Sequence, residues 1–188
     1  MLQLKPEDLP NYTYEDFKHW EGKWELIEGV PYAKVPMPSL RHQRIVNKIG
    51  WLLEEALKDC PYCIPFQPVD WKISENTVFE PDVLVVCVEE KGDIYALLDQ
   101  PYLDRPPILI FEVLSPSTEK KDRFLKPRFY AAEGVKYLVL IDPQKGLGEV
   151  FELKEEKYCL REKIAKEGVF DFDLGPCQLS FDFGKIFS

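Results

Sequence analysis

The sequence lacks any unbroken apolar stretch of about 18 residues, the length that a membrane-spanning helix needs. Its first ten residues carry an acidic pair and a proline where a secretory signal would have a basic end and an apolar segment. The five cysteines form an odd count in a chain without an export signal, which argues against a disulfide framework. We therefore predict a cytoplasmic protein with no membrane partner and no disulfides.

Several familiar chemical signatures are also missing. The chain has only two histidines, which excludes a His-rich metal site, and it contains no GxGxxG, P-loop or GxSxG motif. One CxxC is present, Cys60-Pro-Tyr-Cys63, but no second pair accompanies it as in a zinc site. It also lies after a predicted helix and before a strand, the reverse of a thioredoxin-like motif. We interpret this CxxC as incidental.

What remains is the composition of an ordinary globular protein. The 188 residues are 45% hydrophobic and 13% aromatic, which favours one folded domain spanning 1–188. The net charge of −9 gives no general attraction for nucleic acid and counts against DNA binding. A local exception is the segment 120–128, whose nine positions hold five of the 24 Lys and Arg residues.

Hydrophobic periodicity predicts the first half of the fold. Alternating apolar residues from Trp24 to Val35, with a turn at Glu28-Gly29, predict a β-hairpin. A helix capped by Ser39 follows, because its apolar residues recur at helical spacing as far as Asp59. Two strands are then predicted, at Tyr62–Ile73 and at Val78–Val88.

The second half contains a strand–helix–strand unit. Ile108–Leu114 and Tyr137–Ile141 are continuous apolar runs typical of strands covered on both faces. Between them, a helix is expected from the Ser-rich loop 115–118 to Glu133, disturbed by Pro127 and ended by Gly134. This order favours a parallel pair of strands.

Three shorter strand-like segments in the tail, 149–153, 157–164 and 179–183, predict an antiparallel C-terminal extension. The resulting fold class is α/β, a mixed β-sheet flanked by helices, with an N-terminal hairpin and this extension.

Two carboxylates occur where apolar residues are expected. Asp82 follows Pro81 and directly precedes the run VLVVCV, and Glu112 lies within ILIFEVL. A buried carboxylate costs several kcal/mol unless it is paired or bound to a metal. If both face one end of a sheet they form an oxygen-rich site that suits Mg²⁺. The alternative is that each points to solvent or pairs with a Lys or Arg.

An ordered set of motifs surrounds these acids. They are W24-E-L-I-E-G-V, R41-H-Q-R-I-V, P81-D82, E112-V-L-S-P-S, D122-x3-K126-x3-Y130-x3-G134-V and Y137-L-V-L-I-D142-P. The set resembles a large family of bacterial restriction-endonuclease-like proteins in the PD-(D/E)xK nuclease superfamily, over roughly residues 20 to 153. The resemblance implies a restriction-endonuclease-like fold.

The resemblance also implies a metal-dependent active site. Asp82, Glu112 and the main-chain carbonyl of Val113 would bind Mg²⁺ or Mn²⁺, which would activate water against a DNA phosphodiester. The superfamily places a lysine two residues after the second acid, but position 114 is Leu. The family pattern offers Lys126 instead, as a relocated lysine on the following helix; a solvated helix face is the alternative.

Three further residues are candidates with simpler alternatives. The resemblance suggests Glu25 as a third catalytic carboxylate, although a surface Glu on a hairpin is also compatible with the pattern. His42 and Gln43 could contact phosphate or metal-bound water, or serve as local hydrogen-bonding residues near a helix start. Asp122 is interpreted as a cap or as an i,i+4 ion-pair partner of Lys126.

The leading hypothesis is a Mg²⁺- or Mn²⁺-dependent endonuclease that hydrolyses DNA, and we expect a homodimer because two strands need two active sites. A catalytically inactive nuclease-like binding or assembly module is the main alternative, supported by Leu114 and the acidic balance. A hydrolase of small phosphorylated substrates would explain the net charge more easily.

Overall fold

Residues 5–34 and 38–188 are described by the computed structural model of the protein. Its four α-helices are α1 (Tyr14–Phe17), α2 (Leu40–Leu57), α3 (Asp93–Leu98) and α4 (Lys126–Ala132). Short 3₁₀ turns occupy Pro6–Asp8 and Phe183–Lys185, and a π-helical turn, Lys121–Leu125, precedes α4. None of the helices in these ranges is long and apolar enough to cross a membrane.

Twelve strands are formed within the described ranges. They are β1 (Trp24–Ile27), β2 (Val30–Ala33), β3 (Cys63–Phe66), β4 (Trp71–Ser74), β5 (Thr77–Phe79), β6 (Val83–Cys87), β7 (Leu109–Val113), β8 (Tyr137–Asp142), β9 (Leu147–Lys154), β10 (Lys157–Ile164), β11 (Val169–Asp173) and β12 (Gln178–Asp182). The predicted hairpin is present as β1–β2, and its predicted last residue, Val35, lies outside the described residues.

The main sheet has six strands in the order β10-β9-β8-β7-β6-β3, and a four-stranded sheet has the order β2-β1-β5-β4. In the main sheet β7 and β8 are parallel, joined by the π-helical turn and α4, and the other pairs are antiparallel. The predicted parallel pair and the antiparallel C-terminal extension are both confirmed, with β11 as a strand that the sequence pattern missed.

Helices and the C-terminal hairpin cover the main sheet on both faces. Ile49 and Leu53 of α2 pack with alternate sheet residues such as Phe111 in one apolar cluster, which also contains residues of β11 and β12. The other alternate residues, such as Ile110, pack with Tyr130 of α4 in a second cluster. This two-sided burial explains why the central strands are apolar throughout.

Two predicted long strands are broken in the structure. The segment 62–73 divides into β3 and β4, which belong to different sheets, and Pro68 lies in the break, where it donates no hydrogen bond to a ladder. The segment 78–88 divides at Pro81 into β5 and β6 for the same reason. The second break matters for the site, because it places Asp82 at the start of β6.

The expectation of no disulfides is wrong for this structure. Cys60 is bonded to Cys177, and Cys63 is bonded to Cys87, while the exposed Cys159 is free. The bonded cysteines are far apart in the sequence but close in space, because the end of α2, the edge strand β3, its neighbour β6 and the turn before β12 lie together.

Asp70 gives a pH-dependent stability prediction. Burial between β3 and β4 raises the pKa of this carboxyl to about 6, with Glu80 adding to the rise and Lys34 opposing it. Because the folded pKa lies above the unfolded value of about 3.9, stability falls as pH rises through the interval from about 4 to 6. Asp70→Asn should therefore stabilise the protein by about 1 kcal/mol at pH 7.5, after discounting for solvent screening, and have little effect at pH 3.5.

Thermal unfolding of Asp70→Asn at the two pH values checks this prediction. The matched control is Asp171→Asn on β11, whose side chain is exposed. Equal shifts for Asp70→Asn at both pH values would contradict the assignment.

Candidate functional site

Asp82 and Glu112 lie side by side on neighbouring strands. The antiparallel register of β6 and β7 pairs Val83 with Phe111, so the next step brings Asp82 opposite Glu112. The N–H of Val113 donates to Asp82 Oδ2 at 2.8 Å and fixes that carboxylate at the end of the ladder. Cross-strand neighbours of this kind have Cβ atoms about 5 Å apart. The two acids therefore lie at the same end of the main sheet, where β6 begins and β7 ends.

Glu112 is buried and accepts two hydrogen bonds on the same oxygen. Tyr130 Oη donates to Glu112 Oε1 at 2.6 Å, and Lys126 Nζ donates to it at 3.0 Å. Burial raises the pKa of Glu112 to about 8, the Lys126 ammonium opposes the rise, and the nearby carboxylates, Asp122 foremost, add to it. Burial and these carboxylates together favour the protonated form of Glu112.

Lys126 is the central cation of the cluster. Its Nζ lies 3.1 Å from Glu25 Oε1, 3.0 Å from Glu112 Oε1 and 3.0 Å from Asp122 Oδ1. Burial opposes the charged form, but these three carboxylates outweigh it and hold the pKa of Lys126 well above its usual range. The solvated-face alternative for Lys126 is therefore wrong.

The helix type changes from π to α just before Pro127. The residues before Lys126 form the π-helical turn, whose backbone passes into α4 through the bond from Lys126 N–H to Lys121 O. Pro127 then lies in the first turn of α4, where its missing N–H leaves no hydrogen bond unmade. The disturbance expected at Pro127 is thus a change of helix type, and Asp122, Lys126 and Tyr130 still reach one cluster.

Glu25 is fully buried rather than exposed on the hairpin. Its Oε1 accepts from the N–H of Glu80 at 3.1 Å, and its Oε2 lies 2.5 Å from Lys121 Nζ. Burial alone would raise the pKa of Glu25, yet Lys126, Lys34 and Lys121 together lower it to about 2. The surface alternative for Glu25 is wrong, and its observed contacts hold lysines in place.

His42 and Gln43 reach the same site from the start of α2. The helix is capped as predicted, with Ser39 Oγ accepting from the N–H of His42 at 3.2 Å. His42 Nε2 lies 3.3 Å from Asp82 Oδ2, and Gln43 lines the adjoining cavity. Burial would lower the pKa of His42, but the Asp82 carboxylate and the Val113 carbonyl raise it.

The pKa of Asp82 moves in the opposite direction to that of Glu112. Burial would raise it, but the hydrogen bond with His42 and the charges of Lys34 and Lys126 lower it overall. One acid is therefore kept ionised while its neighbour holds its proton more tightly, a pairing found at functional sites.

Some residues of the cluster were not singled out from the sequence. Lys34 follows β2, and its Nζ lies 2.5 Å from Glu80 O and 3.2 Å from Glu80 Oε1. No local pattern indicates Lys34, because its partner is 46 positions away. Tyr130 was recognised only as part of the motif D122-x3-K126-x3-Y130, whose i,i+4 spacing puts the three side chains on one helix face.

Leu114 stands two residues after Glu112, at the position where the nuclease superfamily has a lysine. It is buried and belongs to the same apolar cluster as Ile110 and Tyr130. The side chain two residues after Glu112 is therefore part of the core, and Lys126 Nζ of α4 lies 3.0 Å from Glu112 Oε1.

A cavity of about 100 Å³ opens beside the two acids. Its walls include Asp82, Glu112, Val113, Lys126 and His42. Within the described ranges, Asp82 Oδ1 and Glu112 Oε2 accept no hydrogen bond from the protein, so one oxygen of each carboxylate remains for another partner. The volume exceeds the roughly 30 Å³ share of one water molecule, and the donors suit a hard divalent cation.

The described residues form an α/β fold with a buried cluster of carboxylates and lysines at one end of its main sheet. Residues 14–176 match the family model Uma2, described as "Putative restriction endonuclease", and the chain belongs to this family. A crystal structure of a "putative nuclease belonging to DUF820" from Anabaena variabilis has a similar fold, with a TM-score of 0.72 and 16% identity. The match covers 93% of this chain and 97% of that one. No curated protein sequence matches the chain.

The family match confirms the resemblance inferred from the motifs, and the fold match confirms the predicted fold class. At the level of its family, the protein is of nuclease type. The low identity to the Anabaena protein limits that comparison to the fold.

Proposed function

We propose that the protein is a Mg²⁺- or Mn²⁺-dependent endonuclease that hydrolyses DNA phosphodiester bonds. The observation that carries the proposal is the pair Asp82–Glu112 at one end of the main sheet, with Lys126 Nζ 3.0 Å from Glu112 Oε1. Family membership supports the nuclease class, and the oxygen donors support the divalent metal.

Asp82, Glu112 and the carbonyl of Val113 are the proposed metal ligands. When bound, the metal supplies Lewis-acid activation of water and compensates charge on the scissile phosphate. The protein's own contribution is to hold the ligands: Val113 N–H and His42 restrain Asp82, while Tyr130 restrains Glu112. His42 and Gln43 line the same cavity, which suits contacts to phosphate or to ordered water.

Lys126 is the proposed catalytic cation, and its protonation state narrows its role. The three surrounding carboxylates keep its pKa well above the usual range, so it remains an ammonium at neutral pH. A permanent ammonium cannot accept a proton from water, but it can stabilise charge that develops on phosphate. Glu25 and Asp122 hold Lys126 in place, which makes Glu25 a positioning residue rather than a further metal ligand.

A basic and aromatic groove answers the objection raised by the net charge. A cavity of about 640 Å³ lies over the π-helical turn and β2, and Lys120, Arg128, Phe124 and Tyr32 line it. Phe124 is 70% exposed. Cations that follow a phosphate backbone, together with an aromatic face for a base, are the features of a nucleic-acid groove. The acidic total is therefore compatible with a local DNA-binding surface.

DNA cleavage tests the proposal directly. Supercoiled plasmid and single-stranded DNA are incubated with Mg²⁺, with Mn²⁺ or with chelator, and cleavage is expected only with metal. A Lys120→Ala/Arg128→Ala variant should bind DNA about tenfold more weakly, with a salt slope lower by about 2. Lys154→Ala/Lys157→Ala is the matched control, because these two exposed lysines end β9 and begin β10 on either side of the connecting turn. Absence of metal-dependent cleavage on every substrate would refute the endonuclease assignment.

One observation favours an inactive binding module as the second candidate. Lys126 is already surrounded by three carboxylates, an arrangement that can serve stability alone. Calorimetry with Mn²⁺ separates the two functions, because an active site must bind the metal, whereas a scaffold has no such requirement.

We also propose a homodimer, because cutting both strands of duplex DNA requires two active sites. Sedimentation should give about twice the chain mass of 22.0 kDa. A single 22.0 kDa species that still cuts both strands would contradict this arrangement.

A further inference from the structure

Four cysteines converge at the far end of α2 from the acidic site. Cys60 follows α2, Cys63 begins β3, Cys87 ends β6 and Cys177 precedes β12. α2 has 18 residues and is therefore about 27 Å long. The CxxC at Cys60 and Cys63, interpreted above as incidental for want of a second pair, thus has two further cysteines beside it.

The sulfur atoms form one cluster rather than two separate pairs. The Sγ atoms of Cys60, Cys63 and Cys177 all lie within 4.8 Å of one another, and Cys87 Sγ is bonded to that of Cys63. Strand pairing brings Cys63 and Cys87 together, because they are direct partners in the β3–β6 ladder. The Cα atoms of Cys60 and Cys177 are 6.1 Å apart.

We propose that the reduced form of this cluster is a structural zinc site with four thiolate ligands. In a tetrahedral site with Zn–S distances of about 2.3 Å, the sulfurs are separated by about 3.8 Å. The three mutually close sulfurs need only small side-chain rotations to reach that spacing, and Cys87 reaches it by parting from Cys63. Two ligands from a CxxC and two from distant segments are a usual composition for such a site.

Zinc binding is favoured where the four cysteines remain reduced and Zn²⁺ is present. Ligation of one Zn²⁺ by four thiols releases four protons and transfers no electrons. Forming the two disulfides instead removes four electrons and four protons, which an oxidant must accept. The same four side chains therefore support a metal-bound state and an oxidised state, of which a reducing environment selects the first.

The role of the zinc would be to fasten the C-terminal hairpin. Cys177 lies in the turn between β11 and β12, whose Phe172 and Phe181 cover one face of the main sheet. Cys60 is 117 positions earlier in the chain, so a bond between them closes a long loop. Zinc would hold this covering layer against the end of α2, at a distance from Asp82 and Glu112.

Metal analysis of the full chain tests the proposal. Protein produced with added zinc and purified under a thiol reductant should contain about one zinc per chain. Cobalt substitution should give the thiolate charge-transfer and tetrahedral d–d absorption bands. The variants Cys60→Ser and Cys177→Ser should each lose most of the zinc. The control variant Cys159→Ser should retain it, because Cys159 is a free and exposed cysteine outside the cluster. Asp82→Asn should also retain it, which separates this site from the proposed catalytic metal.

A wild-type measurement keeps the test decisive if the serine variants fail to fold. A thiol reagent added to the native protein should react with the exposed Cys159 without releasing zinc, and should release one zinc as the four clustered cysteines react. The proposal is overturned if the reduced protein binds no zinc, or if its zinc is unchanged in Cys60→Ser and Cys177→Ser. In either case the four cysteines do not form a zinc site.

Discussion

Asp82→Asn should lower metal-dependent DNA cleavage on the order of 10³-fold while leaving the fold intact. The substitution keeps the side chain's size and an oxygen that can accept from the N–H of Val113. It removes the negative charge that a hard divalent cation requires, and with it the activation of water. The measurement is the cleavage rate of plasmid DNA at saturating Mn²⁺, with circular dichroism and thermal unfolding to verify the fold.

The matched control for this experiment is Asp171→Asn on β11, an exposed acid outside the site. It should cleave at the wild-type rate. If Asp82→Asn also cleaves at the wild-type rate, the proposed metal site is wrong, whatever the enzyme's substrate.

Lys126→Met should have the largest effect on stability. It leaves Glu25, Glu112 and Asp122 buried around a neutral side chain of similar length. Removing one partner of a buried ion pair costs about 3–5 kcal/mol, because the remaining charge is uncompensated. Urea denaturation should show a decrease of this size in the free energy of unfolding.

A double variant separates the loss of charge balance from other effects. Lys126→Met/Glu112→Gln removes one cation and one adjacent acid, so it should recover part of the lost stability. Tyr130→Phe removes only the hydroxyl that donates to Glu112 and should cost about 1 kcal/mol. If Lys126→Met is as stable as the wild type, the central role of this ammonium in the cluster is refuted.

Catalysis by Lys126 requires a separate readout from its stabilising role. Lys126→Arg keeps the positive charge but replaces a compact ammonium by a planar guanidinium. If Lys126 acts on the reacting phosphate, this variant should lower kcat while DNA binding changes little. A purely structural lysine would leave kcat at the wild-type value in any Lys126→Arg protein that remains folded.

The sequence predicted most of the fold where a pattern was long or flanked by strong signals. α2 was recognised from its apolar spacing and Ser39, and the parallel β7–β8 pair from two apolar runs around a helix. The two broken strands were predicted as continuous because apolar periodicity does not show which sheet a residue joins. Pro68 and Pro81 were the available signals for those breaks.

The candidate site was predictable only in part. Asp82 and Glu112 attract attention because carboxylates are unusual in apolar strands, and Lys126 was indicated by the family resemblance. Lys34 carries no such signal, since it meets Glu80 only through the pairing of distant segments. The cysteine cluster is similar: Cys87 and Cys177 are isolated in the sequence and become neighbours of the CxxC only in the folded chain.

The central claim is that Asp82 and Glu112 bind one divalent metal beside Lys126. Crystals of the protein soaked in Mn²⁺ test it most directly, through anomalous difference density at the manganese position. We predict a single strong peak within about 2.3 Å of an oxygen from each of Asp82 and Glu112. Mn²⁺ bound elsewhere, or no peak between these two carboxylates at saturating Mn²⁺, would contradict the account.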